Sequence, residues 1–494
     1  MRKTRILVAV LAVAALTGGG SALAAFAGHA KDTNADYTPF EKFTPLPASA
    51  ACTEALNDSF ELPEGYGQQV VAQELDGGSV DLWDMNTQNE SGKDAGRYVY
   101  RTHEVGSPPG SQVTVTDLTD GETTILAQRL DWERFDGIVW TPWGTILAAE
   151  ETDGRPPYAP DPNVPEAKAG LVYEFFVDPS DPSTLKLNDP RDDVAPFDDG
   201  VAVRPALGSK SHEGMRFDRR GYHYGIAESN PGGIYRFVPD KKGDLSSGDL
   251  QVYKSANGRD GEGVWVSIPD AQARINAQTA ANTLGANAYS RPEDVETGES
   301  TGRDRNNGGN TLYVAITGTD EVFAIDLSNP NRPYGYQYVF TTALGMTTAP
   351  PNASDGEFES ADNLALDRKG NLVITEDPGG VPPKKTKGDD LWIAAPSSWW
   401  FGSPRRPAAT VQRFASMKDC IAEPTGVYFA LKGTEEFTED GPFEELVNDE
   451  SLFVNRQHAG QGTILDQFVS IAPLEDDNHD DEEDEDDGDD DEDE

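Results

Sequence analysis

Basic residues are scarce: 40 Lys and Arg stand against 87 Asp and Glu, a formal net charge of −47. A C-terminal run, 475–494, holds 17 acidic residues and no basic one, yet without it 70 acidic residues against 40 basic still leave −30. A body this acidic excludes nucleic acid as a binding partner and docking on anionic lipid. Long apolar runs are missing too. The first, residues 6–16, has 11 residues, too few for a stable membrane-spanning helix, so no stable membrane insertion is expected. It follows Met-Arg-Lys-Thr-Arg and leads to Ala-x-Ala choices at 22–24 and 25–27, the form of a cleaved signal peptide over 1–27 and hence of a secreted, extracellular or periplasmic protein. No Cys closely follows the run and no Arg-Arg pair precedes it, which sets aside a lipoprotein and a twin-arginine signal. Cysteine is limited to Cys52 and Cys420. In an exported chain these two are placed to form one disulfide, with two buried free thiols as the alternative. Helical periodicity is absent over more than about a dozen residues, except at 269–284, rich in Ala and Gln, which predicts one short helix inserted between strands.

The chain is instead rich in strands, turns and acids. Residues 361–377, ADNLALDRKGNLVITED, alternate apolar side chains up to Asp367-Arg368-Lys369-Gly370 and again after it, the pattern of a β-hairpin with Gly at the last turn position. Asp362 precedes the turn by five residues, as Glu213 precedes Asp218-Arg219-Arg220-Gly221 and Asp136 precedes Thr141-Pro142-Trp143-Gly144. The far ends match as well. Glu150 and Glu376 lie six residues after the turn Gly, and Glu151, Glu228 and Asp377 seven after. Stretched copies begin at Glu293-Asp294 and Glu423, and a weaker one spans Asp81-Leu82-Trp83 to Glu104.

Starts at Asp136, Glu213, Glu293, Asp362 and Glu423 are 61 to 80 residues apart, with one earlier repeat near Asp81. Six repeats of about four short strands predict an all-β fold, a six-bladed β-propeller with inserted loops, over residues 61–474; a pair of two-sheet sandwiches is the runner-up. Residues 28–60 form an N-terminal lead-in. The tail 475–494 is too charged to fold alone, and a monomer is expected. In a propeller, equivalent strand ends converge on one mouth of the central channel. The register therefore gathers Asp136, Glu150, Glu151, Glu213, Glu228, Glu293, Asp362, Glu376, Asp377 and Glu423, with His212 and His458 as nitrogen donors nearby. Such a crowd of carboxylates requires cations, and oxygen donors favour Ca²⁺.

The segments 141–151, TPWGTILAAEE, 211–218, SHEGMRFD, 291–296, RPEDVE, 361–377, and 423–426 with 452–460, EPTG and LFVNRQHAG, together resemble the PhoX family of secreted alkaline phosphatases, in the same order over most of 60–470. The resemblance implies a six-bladed propeller whose calcium and iron centre cleaves phosphate monoesters of small phosphorylated substrates. It makes Glu150, Glu213, Glu293, Asp362 and Glu376 metal ligands and gives Arg291 the phosphate, a role suited to a forked cation. Two positions depart from the family pattern. Ala149 stands where a Cys bridges the irons, and Trp140 where a Lys grips the phosphate. Without that thiolate the expected cofactor is Ca²⁺, with most of the affinity for an iron pair lost. Two other readings fit the same scaffold: a calcium-dependent hydrolase of another ester class, and a non-catalytic calcium-stabilised binding propeller.

Overall fold

Three acidic hairpins turn on one device. Asp367 Oδ1 accepts the amides of Lys369 (2.7 Å) and Asn371 (2.8 Å) while its carbonyl accepts from Gly370 at 3.2 Å. Asp218 repeats this with Arg220 (2.9 Å), Tyr222 (3.0 Å) and Gly221 (2.8 Å). In the third copy the Thr141 hydroxyl takes the carboxylate's place, accepting from Thr145 N at 3.0 Å. Each turn ends on a glycine with φ between +83° and +87°, a conformation costly for any residue with a Cβ.

In the computed structural model the described residues are 40, 42–53, 58–156, 158–192, 199–297, 310–341, 358–380, 382, 384–397, 405–439, 441–443, 445–457 and 465–474. The expected signal peptide, His458 and the acidic tail lie outside them. All but two helices, Asp270–Thr283 and the single turn Glu435–Thr438, short 3-10 turns and connections is antiparallel sheet among the described residues. One sheet runs Trp83–Gln88, Tyr98–His103, Gln112–Asp117, Thr123–Gln128, and the next Phe135–Trp140, Ile146–Glu150, Val172–Phe175, Val201–Val203. A nine-stranded sheet follows, with Met215–Phe217 at one edge and Pro292–Glu296 at the other. Then come Ala361–Leu366, Leu372–Glu376, Asp390–Ala395 and Thr410–Met417, edged by Phe60–Glu61. Finally Glu423–Phe429, Leu452–Gln457 and Gln467–Pro473 are completed by the N-terminal strand Tyr66–Gln73. This is a propeller-like all-β fold, although the sheets do not divide into six separate ones as expected. The nine-stranded sheet is two sets of strands fused by two pairings, Gly261↔Gly335 and Glu262↔Tyr334. Gly335 permits that contact, because a Cβ there would lie 2.4 Å from the Phe323 ring and 2.8 Å from the Tyr253 hydroxyl.

The first strand of each repeat, which faces the centre, touches the first strand of the next in a closed circuit. Bonds between neighbours stitch the circuit. His212 N donates to Glu150 O (3.0 Å), Gly214 N to Glu293 O (3.2 Å), Leu364 N to Asp294 Oδ2 (2.9 Å) and Gly426 N to Asn363 Oδ1 (2.6 Å). Asn86 Nδ2 to Gly426 O (2.7 Å) and the Thr102 hydroxyl to Asp136 O complete it. Between consecutive sheets lie aromatic and aliphatic clusters such as Trp132, Phe135, Tyr173 and Phe175. The predicted helix is present at Asp270–Thr283, packing Ala273, Ala277, Ala280 and Ala281 inward. Cys52 and Cys420 are bonded, with Cα atoms 5.3 Å apart. The bond ties the lead-in to the segment between Thr410–Met417 and Glu423–Phe429, while Phe60–Glu61 edges the penultimate sheet rather than the last.

Candidate metal centre

A recurrent irregularity aims the acids. In five inner strands the ladder skips one residue, in Glu423–Phe429 between Thr425 and Tyr428 and in four others beside an acid: Trp83 pairs His103 but Asn86 pairs Arg101, Phe135 pairs Glu150 but Ile138 pairs Ala148. The same slip falls between Pro292 and Val295 and between Ala361 and Leu364. Each is a β-bulge, which re-aims side chains locally. In those four the first bulged residues are Asp84, Asp136, Glu293 and Asp362, and all four line one central cavity of about 630 Å³. Glu213 and Glu423 join them from their own inner strand ends, and Glu104, Glu151, Glu228 and Asp377 from the ends of the second strands. Arg291, Lys385, Gln457 and Asp81 also face this space.

Two expected ligands do not. Within Ile146–Glu150 side chains alternate faces, so Glu151 reaches the cavity while Glu150 turns away. Its carboxylate accepts the amides of Glu133 (3.1 Å) and Leu171 (2.9 Å). Glu376 repeats this beside Asp377, accepting from Glu359 N (2.8 Å), Asp390 N (3.2 Å) and Trp392 Nε1 (2.8 Å). The expectation that Glu150 and Glu376 enter the channel is therefore corrected: both are buried ties between strand ends. His212 is corrected in the same way. Its Nε2 donates to Gly208 O at 2.9 Å and its Nδ1 accepts from Lys210 Nζ at 2.9 Å, away from the cavity lining.

Lys210 carries a pH signature of its own. It is buried over the Tyr235 ring, and burial pulls its pKa down to about 7. Between there and the ordinary lysine value of about 10.4 the unfolded chain binds the extra proton, so this group makes stability rise with pH. Lys210→Met should flatten the melting temperature between pH 7 and 10, where wild type climbs by a few kcal/mol of stability; equal slopes would refute it.

One oxygen each from Glu213, Glu293 and Asp362 lie within 4.8 Å of one another. Burial first, then neighbouring carboxylates, hold Glu213, Asp136 and Asp362 well above the usual carboxylate range, and burial takes Glu293 up to about 7. Further contacts join Glu151 to Glu228 and Glu104, and Asp377 to Glu423. Two like charges about 4 Å apart at an effective dielectric of 20 repel by about 4 kcal/mol. Asp136 Oδ1 is buried with no hydrogen-bond partner among the described residues. An all-oxygen donor set, mutual repulsion and an orphaned buried oxygen fit a hard divalent cation.

Arg291 sits at the rim with φ +51°, a left-handed backbone that costs a non-glycine residue about 1–3 kcal/mol. That turn aims its guanidinium between Glu228 (Nε to Oε1, 2.8 Å) and Glu293 (Nη2 to Oε1, 3.0 Å). Ala149 lies in a hydrophobic cluster with Val139, Leu147, Val172 and Met215. Trp140 stacks on Tyr100 and donates from Nε1 to Ser91 Oγ at 3.1 Å. Asp84 and Lys385 went unrecognised in the sequence. Placing Trp83–Gln88 under Phe135–Trp140 would have matched Asp84 to Asp136, whereas no pattern marks Lys385.

A ring of sheets around an acid-lined channel with an arginine at its rim defines a propeller-like protein with clustered acidic groups of a kind that can hold a metal ion. The chain belongs to the PhoX family of alkaline phosphatases: the family described as "Alkaline phosphatase PhoX" matches residues 140–437, more than half of the chain. Among solved structures it is similar to Pseudomonas fluorescens PhoX in complex with vanadate, a transition state analogue, at 16% identity and TM-score 0.54, covering 86% of this chain and 98% of that one. It is also similar to a luciferin-regenerating enzyme (8% identity, TM-score 0.45, covering 83% and 95%). A third is the calcium-binding protein regucalcin from Agrobacterium tumefaciens (12%, 0.37, 83% and 97%). No curated protein matches the chain.

Proposed function

We propose that this phosphatase-family chain is a calcium-dependent phosphomonoesterase whose reaction takes place in the central channel. The observation that carries this reading is Arg291, a forked cation beside the Glu213, Glu293 and Asp362 oxygens. Those three, with Asp136, Glu151, Glu228, Asp377 and Glu423, would hold the cations. When bound, Ca²⁺ draws charge from the phosphoryl oxygens and favours attack at phosphorus. Arg291 orients the phosphate through two parallel donors and offsets charge that grows in the transition state. Glu228 and Glu293 hold that guanidinium in place.

Counting the fused sheet as two, the closed circuit of inner strands supports six blades. The proposed organisation is a signal peptide 1–27, a lead-in 28–60, a propeller 61–474 and a solvated acidic tail 475–494, in a secreted monomer; the disulfide is consistent with export. The family's cysteine position is occupied by Ala149 in an apolar cluster, which favours calcium alone over an iron pair. It also favours a second reading, a calcium-stabilised propeller that binds without catalysis.

Calcium-loaded protein should release phosphate from an aryl phosphate, and Arg291→Met should lower kcat/KM by about 10²–10³. Elemental analysis should find calcium and well under one iron per chain. Silence of the loaded wild type toward aryl phosphates sinks the catalytic reading, and about two irons per chain would show that Ala149 replaces no essential ligand.

A further inference from the structure

Among the described residues, the cavity lining holds two cationic side chains, Arg291 and Lys385, against eleven carboxylates. Lys385 comes from the segment between Leu372–Glu376 and Asp390–Ala395, a different sheet from the one Arg291 enters. Directly after Asp377, Gly379 and Gly380 of that segment line the cavity. Gly379 donates to Asp377 Oδ1 at 2.9 Å, and Gly379 and Gly380 take φ of +62° and +92°. Its far end is pinned to the lead-in by the Ala51↔Lys387 bridge and by Gly388 N donating to Ala50 O at 3.0 Å. The position of Lys385 is thus set by backbone ties on its C-terminal side.

The side chain is anchored as well. Its ammonium donates to Asp389 Oδ2 at 2.5 Å, with the Lys385 side chain 9% and that of Asp389 1% exposed. Among the described residues that is the ammonium's sole protein partner. An ammonium has three donors, so two remain for something in the cavity. Arg291 has already given Nε to Glu228 and is ion-paired through Nη2 with Glu293, so a phosphoryl group bound beside the cations finds in Lys385 the other cationic side chain of the described lining.

We propose that Lys385 is a second phosphate-contacting residue, a point cation held by Asp389 and acting beside Arg291 on the same phosphoryl group. The proposal rests on the phosphatase reading above. Its rival is that Lys385 only neutralises the buried Asp389 carboxylate, and the two part company in a double variant. Lys385→Met alone leaves Asp389 buried and unpaired, whereas Lys385→Met with Asp389→Asn removes both charges and leaves no buried carboxylate without its cation.

The probe is inorganic phosphate, titrated calorimetrically into calcium-loaded protein and read in parallel as product inhibition of aryl phosphate hydrolysis. Loss of one charge-assisted bond predicts a dissociation constant raised about 10- to 100-fold in both Lys385→Met and the double variant. Lys385→Arg should stay closer to wild type, and the loaded double variant should melt within a few degrees of it. Wild-type phosphate affinity in the double variant overturns the proposal and leaves Lys385 a structural partner. If wild type itself neither binds inorganic phosphate nor hydrolyses aryl phosphates, the phosphatase reading fails and this proposal falls with it.

Discussion

Stripping calcium from the purified protein at pH 8 is expected to lower its melting temperature by about 10 °C, and the deficit should shrink as pH falls toward 5. A cation that binds the folded state at a thousandfold excess over its Kd contributes about 4 kcal/mol per site. Two such sites, at roughly 1–2 °C per kcal/mol for a domain this large, reach that size. The pH dependence follows from the direction in which the channel acids are shifted. Burial and mutual repulsion raise Asp136, Glu151, Glu213, Asp362 and Glu423 above their ordinary values, and burial takes Glu293 to about 7. Without cations the folded chain then holds protons that the unfolded chain releases. Its stability is fully present below the ordinary carboxylate range and is lost as pH rises through about 7. Bound calcium replaces those protons, so the loaded protein should not show the loss. Melting curves from pH 5 to 8, with excess calcium and with excess chelator, measure both arms. Coincident curves at pH 8 would reduce the channel to a solvated acidic face.

The sequence displayed the channel acids because hairpin turns are strongly marked. Asp367 with Gly370 and Asp218 with Gly221 announce their turns, and counting outward from each finds Asp362, Asp377, Glu213 and Glu228, all of which face the cavity. Counting fails where register depends on an irregularity. The bulges after Phe135 and Ala361 move Asp136 and Asp362 into the channel, while Glu150 and Glu376, directly opposite Phe135 and Ala361, face the sheet interior. Nothing in the residue order encodes that slip. Asp84 was hidden for another reason: nine residues, 89–97, instead of a short glycine turn, separate its strand from the next. The fusion of two strand sets was equally illegible, since it joins Gly261 to Gly335, 74 positions away, and depends on Gly335 lacking a side chain. Lys385 belongs to no repeat, and only the folded backbone brings it to the mouth.

Adjacent glutamates at 150 and 151 should behave as opposites when removed. Glu150→Ala deprives the amides of Glu133 and Leu171 of their shared acceptor inside the sheet. Each stranded donor costs about 1–3 kcal/mol, so about 4 kcal/mol of stability should be lost with and without calcium. The folded fraction should still bind calcium as wild type does. Glu151→Gln removes a charge from a group crowded by Glu228 and Glu104. Its apo form should therefore melt no lower than wild type at pH 8, and weaker repulsion makes a rise the expected sign. Calcium affinity should fall about tenfold or more, because one anionic donor has become a neutral amide oxygen, and aryl phosphatase activity should fall with it. The Glu376→Ala and Asp377→Asn pair should reproduce the contrast, since Glu376 is tied to Glu359, Asp390 and Trp392 and Asp377 faces the cavity. Calcium titration and melting of all four variants test the division of labour. Lost calcium affinity in well-folded Glu150→Ala would mean that Glu150 acts in the channel and that the alternation of side chains drawn here is wrong.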